Sequence, residues 1–399
     1  MNKGKRIYFD NSATTPVRKE ALLIMKRFFD VDYGNASSIH KEGVVARKVL
    51  DNARTETSQA LNARPQDIIF TPSGTAGNNI ALLGVVEYLH RTGMRYEDMH
   101  AVTTNIEHSS VREIFEEFTR RGVSITTVAV KENGIVSPRE IRDALKRNTV
   151  LVSVMYANNE IGTIQPIREI AKEVRHFKKH VLGVPGLGQT HTPYFHTDAC
   201  QAPLYLSLDT AVLGADLIVV DGQKIYGPKG VGALWIRKGI FLSPILFGGG
   251  QEKGLYPGTE NIPLIAGFSR AFSLAQIEFV KESARLTILR DFCISEIERN
   301  FPTTIINGDK KDRLPNNINI SFPDYDTEFL VLQLDANGIA CSTKSACALS
   351  GTGSYVVSSL GGEDWRSRNT LRISFGRDTR KDDIQILIKT LKRILNKDL

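Results

Sequence analysis

Lys224 lies in DLIVVDGQKIYGPKGVGALW, just past an apolar strand-like run and among glycines that let other groups approach the backbone closely. Taken alone, such a lysine reads as an exposed loop residue. Two further segments carry groups with related chemistry. HTDACQ closes another strand-like run and offers Asp198 and Gln201, while IEHSSV sets His108 at a strand-to-helix junction. Each again has an ordinary explanation, Asp198 as a helix cap and His108 as a satisfied core histidine.

Together an amine, a carboxylate and an aromatic ring at successive strand ends match what pyridoxal 5'-phosphate (PLP) requires. Lysine forms the Schiff base, the carboxylate keeps the pyridine nitrogen protonated, and the ring covers the cofactor face. A phosphate site must accompany them, and FTPSGTAGNNIAL supplies a strand, a small-residue turn and a helix start. Backbone N–H groups there, the positive helix end and the hydroxyls of Ser73 and Thr75 suit a dianion. The same segment by itself is also a plain strand-to-helix turn.

These groups need a scaffold that brings strand ends together. From about Pro65 to Trp235, β-rich runs alternate with helical stretches, the pattern of a mostly parallel α/β sheet wrapped by helices. Candidate strands are 68–71, 100–104, 124–130, 149–155, 194–198, 216–220 and 232–236, several too apolar to be half exposed. A long helix over Ile262 to Asn300 leads to a smaller α+β set whose strands are NINISF, GIACS and TLRISF. The tail carries Ile384, Leu387, Ile388, Leu391, Ile394 and Leu395 on one helical face, with Thr379 and Asp382 as a capping box. The division expected is an N-terminal segment 1–15 near the site, a large domain 16–260 and a small domain 261–399. LGVPGLGQTHTP, residues 182–193, reads as a surface loop.

Composition narrows the class. The 399 residues are 41% apolar and 24% charged, ordinary for globular chains and unlike disordered or coiled-coil ones. No apolar run reaches the ~18 residues of a membrane span, and the N-terminal basic residues are followed by no apolar stretch, so a cytoplasmic location is expected. The net charge of +7 is too small to argue for direct nucleic-acid binding. Cys200, Cys293, Cys341 and Cys347 form no CxxC pair, so neither a disulfide framework nor a metal site is expected.

Ordered motifs over nearly the whole chain extend this reading: YFDNSATTP, YGNASSIH, FTPSGT, IEHSSV, NNEIG, HTDACQ, QKIYGPKG, GGGQEKG, PGTEN, STKSAC and LRISFGR. With them the chain resembles the fold-type I PLP enzymes of the class V aminotransferase group, and more closely the cysteine desulfurases of the nitrogenase and iron-sulfur-cluster type. The resemblance implies a large PLP-binding domain with a seven-stranded sheet. It makes Lys224 the Schiff-base lysine, Asp198 the pyridinium partner, and His108 the stacking ring and acid/base helper. Asn159 and Gln201 would contact the ring or its hydroxyl, and Gly74, Thr75 and Gln223 would hold the phosphate, with Thr259 reaching it from the other subunit of a homodimer. Arg372, otherwise read as a surface ion-pair arginine, becomes the fork that clamps the substrate carboxylate, with Asn159 beside it. Cys347, in the small polar segment STKSACALSGTGSY, becomes the thiolate that attacks the sulfur of L-cysteine. Alanine would leave, and the persulfide on Cys347 would pass to an acceptor protein for iron-sulfur cluster assembly or for thiolation of tRNA or a cofactor.

The chain departs from the pattern it resembles. Asp221 stands where serine or threonine is usual, Gln223 where histidine is, Tyr256 where arginine is common, and Cys200 where threonine or serine is. A carboxylate beside a phosphate is repulsive unless it points away or is neutralised. A selenocysteine lyase, another class V enzyme, or an inactive binding protein on the same fold are the competing readings. Cys347 argues against a simple aminotransferase.

Overall fold

The computed structural model describes residues 6–183, 192–343 and 353–395. Twelve strands are present among them: β1 (Ile7–Tyr8), β2 (Ile68–Thr71), β3 (His100–Thr104), β4 (Ser124–Val128), β5 (Thr149–Ser153), β6 (Tyr194–Asp198), β7 (Leu217–Asp221), β8 (Gly232–Ile236), β9 (Ile305–Ile306), β10 (Asn317–Ser321), β11 (Ile339–Ala340) and β12 (Thr370–Ser374). Seven form one sheet in the order β2-β8-β7-β6-β5-β3-β4. Only β8 runs against its neighbours, so the C-terminal ends of the other six strands share one edge of the sheet. In open α/β sheets that edge is where ligands bind.

Alternation along each strand explains why the sheet is covered twice. Ile69, Leu151, Val219 and Leu234 face one apolar cluster with Ile80, Val85, Val111 and Phe118. Their neighbours Phe70, Val152, Val220 and Trp235 face a second cluster with Ile170, Val174, Phe268 and Phe272. Strand β4, SITTV, lies at an edge, where Ser124 and Thr127 are exposed and Thr126 half-exposed, as that position tolerates. The strand at 217–221 begins one residue later than apolarity suggests. Asp216 instead turns its carboxylate to the Phe195 N–H, at 3.0 Å, and to Arg237, at 2.9 Å.

Helices α1 (Lys19–Asp30) and α2 (Lys41–Ala60) pack on the long helix Ile262–Asn300. At ~1.5 Å per residue the long helix is about 58 Å in length and links the large sheet to the smaller one. The smaller sheet has the order β12-β10-β9, and beside it β1 pairs in parallel with β11. The N-terminal strand therefore joins an element more than 300 residues away. No helix among the described residues is long and apolar enough to cross a membrane. At the start of the last helix, Lys381–Leu395, the cap is shifted by one residue from the expected Thr379 and Asp382. Asp383 accepts from the Arg380 N–H, and the Thr379 hydroxyl accepts from Gly376.

Candidate active site

A cavity of about 240 Å³ opens at the shared strand edge. Its lining includes Gly74, Thr75, His108, Asn159, Asp198, Gln201, Gln223, Lys224 and Arg372, which the sequence scatters over 299 positions. Thr259 is exposed and does not line it. Cys347 lies outside the described residues.

Each element delivers its side chain for a local reason. Strand β7 ends at Asp221, and the short 3-10 turn Gly222–Lys224 directs Lys224 toward the N-terminal segment. The Lys224 ammonium donates to the Ser12 and Ala13 carbonyls at 2.9 and 2.6 Å. Gln201 donates to the same Ser12 carbonyl at 3.0 Å. Strand β6 ends at Asp198, whose carboxylate accepts from the Cys200 N–H at 3.0 Å and from Asn78 Nδ2 at 2.8 Å. Both donors fix its direction in a buried setting.

His108 is the N-cap of the helix Ser109–Arg121, and its Nδ1 accepts from the Ser110 N–H at 3.2 Å. In the neutral ring this leaves the proton on Nε2. The Ser110 hydroxyl also meets Nδ1 at 2.9 Å and accepts from Asn78 Nδ2 at 2.8 Å. Asn78 thus connects Asp198 with Ser110 and through it with His108. Asn78 and Ser110 were not among the sequence candidates. The available signal was Asn78 itself: an amide within an otherwise apolar helix is disfavoured unless it has a partner.

Glu107 was also missed. It is 1% exposed, accepts from the Thr104 hydroxyl at 2.6 Å and from the Met155 N–H at 2.9 Å, and has one oxygen without a partner among the described residues. Burial first, with the charge of Asp198 as a smaller contribution, pushes its carboxyl up to about 8. Burial also raises the Cys200 thiol, helped by the charges of Asp198 and Asp221, and so disfavours Cys200 as a nucleophile.

Arg372 comes from β12 and is 1% exposed. Its Nη2 donates to Asp10 at 2.9 Å and its Nη1 to the Asn159 carbonyl at 3.2 Å. Its Nε is buried with no partner among the described residues, a donor left over for an incoming acceptor.

The helix Gly74–Arg91, α3, begins at the cavity with Ser73 as its N-cap. Gly74 is required there, since a Cβ at this position would lie 2.5 Å from Cys200 Sγ. The Gly74 N–H donates to Asp221 Oδ2 at 3.3 Å, and Gln223 donates to Asp221 from both its backbone N–H, at 3.1 Å, and its side-chain amide, at 3.2 Å. The lysine, carboxylate, ring and spare arginine donor fit PLP with an amino-acid substrate. The phosphate end has its helix terminus and threonine, and in addition the Asp221 carboxylate.

The Aminotransferase class-V family model matches residues 7–387. The chain belongs to that family. It is 39% identical to the cysteine desulfurase IscS of Dictyoglomus turgidum, covering 98% of this chain and 95% of the relative. It is 37% identical to that of Methanosarcina thermophila, covering 99% and 93%. Among solved structures, a NifS-like protein superposes with a TM-score of 0.88 at 31% identity, covering 98% of this chain and 100% of the other. SspA in complex with cysteine gives a TM-score of 0.76 at 30% identity, covering 92% and 98%. This class-V chain is therefore an α/β protein of the fold-type I class.

Proposed function

We propose that this class-V enzyme is a PLP-dependent cysteine desulfurase, converting L-cysteine to L-alanine and leaving the sulfur as a persulfide on Cys347. The observation that carries the reading is the convergence of Lys224, Asp198, His108 and Arg372 on one cavity in a chain so similar to cysteine desulfurases. When bound, PLP supplies an electron sink for the substrate Cα.

The protein's own residues do the rest. Arg372, freed at Nε, holds the substrate carboxylate with Asn159 nearby, and the planar fork sets the orientation of Cα. Lys224 anchors the cofactor and then serves as the amine that takes and returns the Cα proton. Asp198 would hold a proton on the pyridine nitrogen, Gln201 would serve the ring hydroxyl, and His108 would supply the ring that covers the cofactor, with its Nε2–H as a proton donor. Gly74, Thr75 and Gln223 hold the phosphate end. Cys347 forms the new S–S bond as the Cβ–S bond of cysteine breaks, and the proton from its thiol balances the alanine product. A homodimer in which Thr259 completes the other subunit's phosphate site agrees with its exposed position, and exposed Phe241 and Phe247 nearby in sequence offer apolar surface to bury. The persulfide would then pass to an acceptor protein for cluster assembly or tRNA thiolation, in the cytoplasm.

The test is incubation of the PLP-loaded protein with L-cysteine and a reductant, with sulfide and alanine measured beside Cys347→Ala. Equal amounts of both products, falling at least a hundredfold in the variant while the cofactor absorbance stays, are expected. Alanine formed at an undiminished rate by the variant would remove Cys347 from the mechanism, and no product from cysteine would sink the assignment.

A further inference from the structure

The phosphate end of the cavity holds a side chain whose charge opposes the ligand. Asp221 is 6% exposed and ends β7 with its carboxylate turned toward the first turn of α3. Of the three residues of the same subunit assigned to the phosphate, two already give donors to the Asp221 carboxylate: Gly74 through its N–H and Gln223 through its side-chain amide. A helix N-terminus offers a few donors and a partial positive charge, and an internal carboxylate there takes both.

The described lining residues carry two side chains of cationic type, Lys224 and Arg372, and two carboxylates, Asp198 and Asp221. Arg372 is turned to Asp10 and Asn159. The Lys224 ammonium is directed at the Ser12 and Ala13 carbonyls. A dianionic phosphate entering this end meets a like charge within reach of the same donors, an interaction little screened in a partly buried site.

Asp221 also has a structural task. Its Oδ1 caps the 3-10 turn Gly222–Lys224 by accepting from the Gln223 N–H, which holds Lys224 in place. An oxygen acceptor is needed for that task, and a charge is not.

We infer that Asp221 is a built-in anion that competes with the cofactor's 5'-phosphate for Gly74 and Gln223, so that this enzyme holds PLP loosely and favours it only weakly over unphosphorylated pyridoxal. The inference rests on the PLP reading above and sharpens it: the cofactor exchanges, and the residue that sets the exchange is the last of β7. A phosphate held by these donors would draw the Gly74 N–H and the Gln223 amide away from Asp221.

The experiment uses the full-length protein stripped of cofactor, titrated separately with PLP and with pyridoxal and followed by imine absorbance. Wild type is compared with Asp221→Asn, which keeps the cap and removes the charge, and Asp221→Ser, which adds a hydroxyl donor. Both variants should bind PLP at least tenfold tighter than wild type and retain it longer on dialysis, with pyridoxal affinity changed less than twofold. The unphosphorylated ligand separates charge at the phosphate end from damage to the lysine turn. Unchanged or weaker PLP binding in both variants, or equal changes for PLP and pyridoxal, would overturn the inference and leave the PLP reading standing. Absence of imine absorbance in wild type and variants alike would overturn both.

Discussion

At the scale of single residues, the site depends on groups whose surroundings alter their ordinary behaviour. Glu107 lies directly before His108 and is held by Thr104 and Met155 with its carboxyl raised to about 8 by burial. Such a group folds in its neutral form. Its contribution to stability is fully present below the unfolded value of 4.5, declines as pH rises, and is lost by about 8. Glu107→Gln keeps an acceptor for both donors and cannot ionise. Wild type should therefore lose about 4 kcal/mol relative to the variant between pH 5 and pH 9. Denaturant unfolding of both proteins across that range checks this, and parallel pH profiles would refute it. Asn78, bonded to both Asp198 and Ser110, shows why its helix tolerates an amide there.

At the scale of elements, β2 is an edge strand that needs a partner for its outer side. Glu252, in the turn Gln251–Gly254, accepts from the Phe70 N–H at 2.8 Å and is gripped by Arg54 of α2 at 2.6 and 2.9 Å. Arg54 also lies over the Phe70 ring, 4.9 Å from its centroid. The arrangement ties α2, β2 and the segment before Thr259 together. Glu252 has a positive φ of 46°, an uncommon conformation for a residue with a side chain, and these contacts hold it there. Removing one partner leaves a buried charge and an open strand N–H, so Glu252→Ala should cost ~3–5 kcal/mol. The double variant Arg54→Met with Glu252→Ala should lose less than the single one, because no unpaired charge remains. Chemical unfolding of the three proteins decides this, and a single variant as stable as wild type would contradict it.

At the scale of the whole molecule, the cavity is closed by parts from both ends of the chain. The pair Arg372–Asp10 spans 362 residues and sits beside β1 on β11, so the N-terminal segment is both a strand of the smaller assembly and a wall of the site. Asp10→Asn keeps the hydrogen bond and removes the charge that orients Arg372. It should raise the KM for L-cysteine several-fold with a smaller change in kcat, and cost about 1–3 kcal/mol in stability, which steady-state kinetics and thermal unfolding measure together. An unchanged KM would separate Asp10 from substrate binding. Much of this architecture was legible beforehand. The apolar runs marked all seven strands of the large sheet to within two residues, and the long helix from Ile262 to Asn300 was read with both its ends, because period and length are local properties. The order of the motifs likewise set Lys224, Asp198 and His108 after strands, which in a parallel sheet brings them to one edge. Only the tertiary structure decided which way Asp221 turns, which carboxyl is driven neutral by burial, and which carboxylate meets Arg372. Those outcomes depend on atoms brought together from distant segments, since direction and desolvation are set by packing around a side chain and are not written in its neighbours along the chain.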